Sequence, residues 1–116
     1  MNSGPIYEKT FSFAVRIVKL SNHLREERRE YVLSKQILRS GTASGALVRE
    51  AKEAESRKDF IHKMNVALKE ARETEYWIEL LFATDYLSQS AYRSLIENCV
   101  EIIKILTAII KTSKNK

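Results

Sequence analysis

The chain has two histidines, and their neighbours limit the metal chemistry that it can support. Asp59 and His62 are three residues apart, the spacing at which a carboxylate and an imidazole share one helix face in di-iron helical bundles. Such a site needs this motif twice, but His23 has Leu20 at the corresponding position. We therefore predict no metal site and no cofactor.

Each histidine also follows an arginine at the spacing of an RNA-cleaving motif. Four residues separate Arg57 from His62, and six separate Arg16 from His23. The pattern is similar to that of the HEPN ribonucleases, and this resemblance implies that His62 would act as the base and Arg57 would stabilise the phosphorane. With nine arginines in the chain, such spacings arise readily by chance. We expect a protein that is not an enzyme and keep ribonuclease as a remote alternative.

Small residues cluster at 38–48, in the stretch LRSGTASGALV. A phosphate-binding loop needs a strand before the glycines and a Lys-Ser or Lys-Thr pair after them, and neither occurs here. Apolar residues at helical spacing instead continue through the stretch, and Gly41 and Gly45 are four residues apart with Ser44 between them. Since two glycines inside a helix cost about 0.8–1.0 kcal/mol each, we predict that this face allows close packing of another helix.

The spacing of apolar residues predicts the elements that carry these groups. Apolar side chains recur every three or four residues in four segments, at about 5–24, 31–55, 57–85 and 88–112. The single proline, Pro5, lies in the first turn of the first helix, and no segment alternates like a strand. One all-α domain, 1–116, is expected, an antiparallel up-down-up-down four-helix bundle that is oligomeric.

Four residues within these helices carry separate predictions. Ser56 with Asp59 resembles a capping box at the start of the third helix. Glu75 lies on the apolar stripe of that helix and needs a cation, for which we expect an ion pair with Arg39 or Arg49. Cys99 lies on the stripe of the fourth helix and is predicted to be buried.

Composition indicates where the chain is found. The longest largely apolar run, 105–110, is six residues, against about 20 needed to span a bilayer. The first residues lack the pattern of a secretory signal, and a single cysteine makes no intrachain disulfide. We expect a cytoplasmic protein with no membrane contact.

The charge is unevenly distributed along the chain. Residues 1–58 hold 12 Lys and Arg against 7 Asp and Glu, whereas 59–101 hold 4 against 8, and the four charged residues after Glu101 are all lysines. The basic first half can pair with the acidic third helix, and any cations left unpaired favour polyanions.

The segment 39–81, RSGTASGALVREAKEAESRKDFIHKMNVALKEARETEYWIELL, resembles a bacterial four-helix-bundle family first noticed in intervening sequences of 23S ribosomal RNA genes, also called S23-like. FAVRIVKL at 13–20 and VLSKQILRSG at 32–41 fit the same family, whereas Ala43, Ser44 and Leu47 depart from its usual residues. The accessory protein of diversity-generating retroelements is similar in fold. The resemblance implies a ring of five subunits whose basic surface engages reverse transcriptase and nucleic acid.

We therefore predict a non-enzymatic, oligomeric adaptor that binds nucleic acid, RNA or DNA, or a ribonucleoprotein. The rival prediction is a protein-only assembly module that binds no nucleic acid. The candidate phosphate contacts lie on the first helix, the turn after it and the second helix, with the lysine tail as an addition: Arg16, Lys19, Arg25, Arg28, Arg29, Lys35 and Arg39.

Overall fold

A computed structural model of the chain describes residues 4–115 and contains four helices. They are α1 (Gly4–Glu26), α2 (Leu33–Lys52), α3 (Arg57–Ala83) and α4 (Gln89–Lys114), with no strand in the described residues. Short connections make neighbouring helices antiparallel, so the predicted up-down-up-down four-helix bundle is confirmed. Each helix end lies within three residues of its predicted position.

The connection between α1 and α2 is closed by Glu30. Its carboxylate accepts backbone N–H bonds from Val32, Leu33 and Ser34 at 3.2, 2.9 and 2.7 Å. A negative charge is favourable here because the first N–H groups of a helix have no partner within it. Arg29, with φ of 54°, adopts the left-handed conformation that turns the chain towards this cap. Helix α2 therefore starts at Leu33, two residues later than predicted.

Serine caps start the two later helices. Ser56 Oγ accepts from the N–H of Asp59 at 3.0 Å, which confirms that half of the predicted capping box. The carboxylate of Asp59 accepts from the N–H of Glu55 at 3.1 Å, one residue before the cap. Ser88 caps α4 in the same way, with its Oγ accepting from the N–H of Ala91 at 3.1 Å.

The buried side of α3 is set by a polar residue. Thr74 is fully buried, and its Oγ1 lies 2.8 Å from Ser40 Oγ of α2 in a hydrogen bond between the two helices. The predicted stripe was Ile61, Met64, Leu68, Ala71, Glu75, Ile78 and Phe82. It is confirmed at Met64, Ala71 and Ile78, but Leu68, Glu75 and Phe82 are only half-buried, because the buried row is rotated towards Ala67, Thr74 and Leu81. The fully buried row is Met64, Ala67, Ala71, Thr74, Ile78 and Leu81.

The seam between α1 and α4 is the least extensive of the four helix contacts. Three polar contacts cross it: Lys9 pairs with Glu101 at 3.0 Å, and the guanidinium of Arg16 donates to the side-chain oxygen of Asn98 and, at 3.4 Å, to the carbonyl oxygen of Ser94. Asn98 and Glu101 therefore mark the side of α4 that faces α1. The opposite side of α4 faces α3, where the rings of Tyr92 and Phe82 stack 4.2 Å apart.

Candidate nucleic-acid interface

The predicted phosphate contacts all lie in one half of the bundle. A cut through the middle of each helix defines a turn half, residues 16–42 and 71–101, which contains the α1–α2 and α3–α4 connections. The other half, residues 4–15, 43–70 and 102–115, is called the tail half. All seven predicted contacts, from Arg16 to Arg39, belong to the turn half.

Four of these seven residues have partners within the fold. Arg39 pairs with Glu73 and, at 3.0 Å, with Glu70. Arg28 lies 4.6 Å above the ring of Tyr86 and donates to the carbonyl oxygen of Asp85 at 3.3 Å. Arg16 is held by Asn98, as described above. Arg25 is half-buried and donates to the side-chain oxygen of Asn22 at 2.5 Å. The other three, Lys19, Arg29 and Lys35, are exposed.

The ion pair predicted for Glu75 is wrong. Arg39 contacts Glu70 and Glu73 instead, and within residues 4–115 Glu75 makes no ion pair. Glu70 and Glu73 lie on the α2 side of α3, whereas Glu75, two residues further on, has turned by about 200° towards α4. Hydrogen bonding from Arg39, with a smaller contribution from the Trp77 indole, lowers the pKa of Glu73, while Glu73 and Glu70 raise the pKa of Arg39.

The two halves of the bundle differ in net charge. In the turn half, 16–42 holds seven basic and three acidic residues, while 71–101 holds two basic and six acidic residues, so the net charge is zero. The tail half holds ten basic and six acidic residues and has a net charge of +4. Antiparallel packing places an acidic segment beside the basic one in the turn half, so the excess positive charge lies at the other end of the molecule.

Much of this excess lies on the outer face of α3 and α4. Lys104 and Lys111 are about 140° and 120° around α4 from Cys99, on the side away from Asn98. Ala71 of α3 lies opposite Cys99, whose Sγ donates to its carbonyl oxygen at 3.3 Å. The cations on this face form a basic strip, defined as Lys58, Lys69 and Arg72 of α3 with Lys104, Lys111 and Lys114 of α4; Arg72 lies just inside the turn half and the other five lie in the tail half.

Few carboxylates lie near the basic strip: Glu73 is one turn from Lys69, whose charge helps to lower the pKa of Glu73. All six side chains are exposed, and none makes an ion pair with another described residue. Two other acids of α3 in this region, Asp59 and Glu70, lie about 100–120° around the helix on the α2 side, and 102–115 contains no acid. The lysines after Glu101 stand out in the sequence, whereas Lys69 and Arg72 were missed because they lie in an acid-rich segment of the chain.

One exposed aromatic ring lies next to the strip. Tyr76 is 57% exposed, and its ring meets that of the half-buried Trp77 edge-on, with the centroids 5.1 Å apart. The indole N–H of Trp77 donates to Glu73 at 3.1 Å, and Glu73 is itself held by Arg39. Adjacent side chains on a helix point about 100° apart, so Trp77 packs inward while Tyr76 faces solvent.

The small residues of α2 lie against α1. Gly41 and Ser44 are buried and Gly45 is half-buried. A Cβ on Gly41 would lie 2.7 Å from Ile17 Cγ2, and one on Gly45 would lie 3.4 Å from Thr10 Cβ. The closest approach of the two helices is therefore at Gly41, and no ligand is needed to account for these residues.

The arginine–histidine pairs do not converge within one chain. Arg57 and His62 lie about 140° apart around α3. Arg16 and His23 are about 10 Å apart along α1. Nowhere in residues 4–115 do three or more His, Cys, Asp or Glu form a group that could hold a metal. No helix of the described chain is long and apolar enough to cross a membrane.

Comparisons with known proteins identify relatives of the chain. The family model described as 23S rRNA-intervening sequence protein matches residues 3–108. A solved crystal structure of a protein with unknown function from the S23 ribosomal protein family of Bacteroides thetaiotaomicron VPI-5482 is 53% identical, covers 96% of this chain and 99% of its own, and superposes with a TM-score of 0.92. A search of curated proteins gives no match. Because the family model covers nearly the whole chain, the protein belongs to the 23S rRNA-intervening sequence protein family.

Proposed function

We propose that this protein is a non-enzymatic, cytoplasmic, oligomeric helical bundle that binds nucleic acid through phosphate contacts at the basic strip. The observation that supports this proposal is the outer face of α3 and α4, where six exposed cations make no salt bridge with a described carboxylate. Lysine and arginine side chains that neutralise phosphates release counterions, and this supplies affinity without reading sequence. The turn half supports binding less well because its net charge is zero.

Two matched triple variants test where the phosphates bind. One changes Lys104, Lys111 and Lys114 to Gln, and the other changes Arg25, Arg28 and Arg29 to Gln, so both lose three positive charges. Binding of a fluorescent single-stranded RNA is measured by anisotropy over a salt series. Log affinity falls as log salt concentration rises. We expect the first triple variant to make this slope shallower by about 2 and the second to change it little. Loss of binding only in the second triple, or no binding by the unaltered protein, would overturn the proposal.

A second candidate function, a protein-only assembly module, is favoured by the outer face of α1. Phe11, Val15 and Val18 share one face of this helix and are 55%, 40% and 41% exposed. Contiguous exposed apolar side chains of this kind are typical of protein–protein contacts. In this function the α1 face would join subunits, and the basic strip would bind no nucleic acid.

Light scattering on size-exclusion fractions separates the two functions. A Phe11→Ser/Val15→Lys variant should fall to a smaller assembly if the α1 face joins subunits, and Tyr31→Ser, at another exposed side chain (54%), is its control. The same variant is then tested for RNA binding. An assembly that binds no RNA at low salt supports the protein-only module, whereas RNA binding that depends on the lysines of α4 supports the adaptor.

A further inference from the structure

We propose that Tyr76 stacks on a nucleobase, so that the basic strip takes single-stranded rather than duplex nucleic acid. This inference rests on the proposed function, since it assumes that phosphates bind at the strip. The two are separable, because Tyr76 carries no charge and so adds nothing to the salt dependence of phosphate binding.

The position of Tyr76 is the first support for this role. A single stripe on the outer side of α3 repeats at alternating steps of four and three residues and spans 19 residues, about 27 Å along the helix axis from first to last. Its members carry positive charge or a polar side chain until the last, which is aromatic: Lys58, His62, Asn65, Lys69, Arg72 and Tyr76. Beyond Tyr76 the next exposed charge on this face, Glu79, is acidic and would repel phosphate.

The orientation of the ring is the second support. The edge-on contact with Trp77 braces one side of Tyr76 and leaves 57% of the residue exposed. Trp77 is fixed by its hydrogen bond to Glu73, which is fixed in turn by Arg39. A ring positioned in this way loses little conformational entropy when a flat partner stacks on it.

The accessibility of the base faces favours single-stranded over duplex nucleic acid as the ligand. In a duplex the faces of the bases are covered by their neighbours, whereas a single strand exposes them for stacking on aromatic side chains. Arg72, one turn before Tyr76 and about 6 Å away along the axis, is placed to hold the phosphate of the stacked nucleotide. A cationic groove beside an aromatic platform is the arrangement by which proteins bind single strands without sequence preference.

The experiment compares alanine variants of two exposed tyrosines for binding to the single-stranded and duplex forms of one RNA. Tyr76→Ala and its matched control Tyr31→Ala, whose native residue is 54% exposed, are tested by anisotropy against an oligonucleotide of about 16 nucleotides and its duplex. We expect Tyr76→Ala to weaken single-strand binding by about 5- to 100-fold, with duplex affinity and the salt slope unchanged. Tyr31→Ala should change neither, and Tyr76→Trp should retain single-strand binding.

Three results would overturn the inference. In the first, Tyr76→Ala weakens single-strand and duplex binding equally, or weakens neither, while the variant with Lys104, Lys111 and Lys114 changed to Gln loses both. The stacking role then fails and the proposed function holds. If Tyr76→Ala reduces the mass of the assembly by light scattering, the ring packs against a second copy of the chain. If the unaltered protein binds no RNA at low salt, the proposed function fails, and the stacking role fails with it.

Discussion

Ile17 of α1 packs against the backbone of Gly41 in α2 so closely that no side chain fits between them. The Cβ of an alanine at position 41 would lie 2.7 and 2.8 Å from the two γ carbons of Ile17. Ile17 is itself fully buried, so it has little room to move aside. The contact fixes how near α1 lies to α2.

Gly41→Ala is expected to destabilise the protein. Alanine is the better helix former by about 1 kcal/mol, but overpacking a buried site costs about 1–3 kcal/mol, so the free energy of unfolding should fall. Gly45→Ala is the control, because its Cβ would meet Thr10 at 3.4 Å, an ordinary contact, and stability should stay level or rise. Urea unfolding followed by circular dichroism measures both. Equal effects in the two variants would contradict close packing at Gly41.

The hydrogen bond between Ser40 and Thr74 should couple α2 to α3. Thr74→Val keeps the shape of the side chain but removes the hydroxyl beside the buried Ser40 Oγ, at an expected cost of about 1–3 kcal/mol. The double variant Ser40→Ala/Thr74→Val should cost less than the two single variants together. A double-mutant cycle from urea unfolding gives the coupling energy. A value of zero would mean that the two hydroxyls act independently.

Removing the charge of Glu73, which pairs with Arg39, should destabilise the protein more than removing the charge of Glu75. Because Arg39 is 50% exposed and Glu73 is 37% exposed, Glu73→Gln should cost only about 0.2–1 kcal/mol at neutral pH, and Glu75→Gln should cost less. Arg39 lowers the pKa of Glu73, so this contribution is present above its ordinary pKa of 4.5 and is lost as the pH falls below it. Unfolding at pH 7 and at lower pH measures the difference. A larger loss in Glu75→Gln would restore Glu75 as the paired carboxylate.

Cys99 should be an unreactive thiol. Burial raises its pKa to about 12, with smaller contributions from the charges of Glu75 and Glu79. In the native protein at pH 8 a thiol reagent should therefore react only after denaturant is added.

The same burial predicts a loss of stability in alkali. Because the unfolded thiol ionises near 9 and the folded one near 12, Cys99 lowers the free energy of unfolding as the pH rises between these values. Its share of the slope is at most about 1.4 kcal/mol per pH unit. Urea unfolding from pH 8 to pH 10.5 should give a shallower decline in Cys99→Ala than in the unaltered protein. Parallel declines would contradict a buried, protonated thiol.

Local sequence was enough to predict the helices and the fold class. Apolar spacing of three and four residues placed both ends of all four helices within three residues of their positions in the structure, because amphipathic periodicity is a property of each helix by itself. The N-cap formed by Ser56 could also be predicted, since its hydrogen bond from the N–H of Asp59 is local. The Glu30 cap is equally local but was not predicted, because glutamate is not among the side chains favoured at helix N-caps.

The core side of α3 was decided only by tertiary structure. Thr74 and Glu75 are adjacent and both polar, so periodicity alone did not say which of them turns inward. The hydroxyl of Thr74 finds a partner in Ser40 of α2, whereas a carboxylate at that depth would need a cation that the neighbouring helices do not place there. The partner of Arg39 follows from the same rotation of the helix.

The sequence by itself determined that positive charge is in excess, and tertiary structure decided where that excess is exposed. Counted along the chain, the first half appears basic, and Arg25, Arg28 and Arg29 appear to be the natural phosphate contacts. In the bundle, antiparallel packing places the acidic segment 71–101 beside the basic segment 16–42. The turn half, which these two segments form, is therefore neutral. Electrostatic potential depends on distance through space, and the helix pairing that sets those distances is not a local property of any segment.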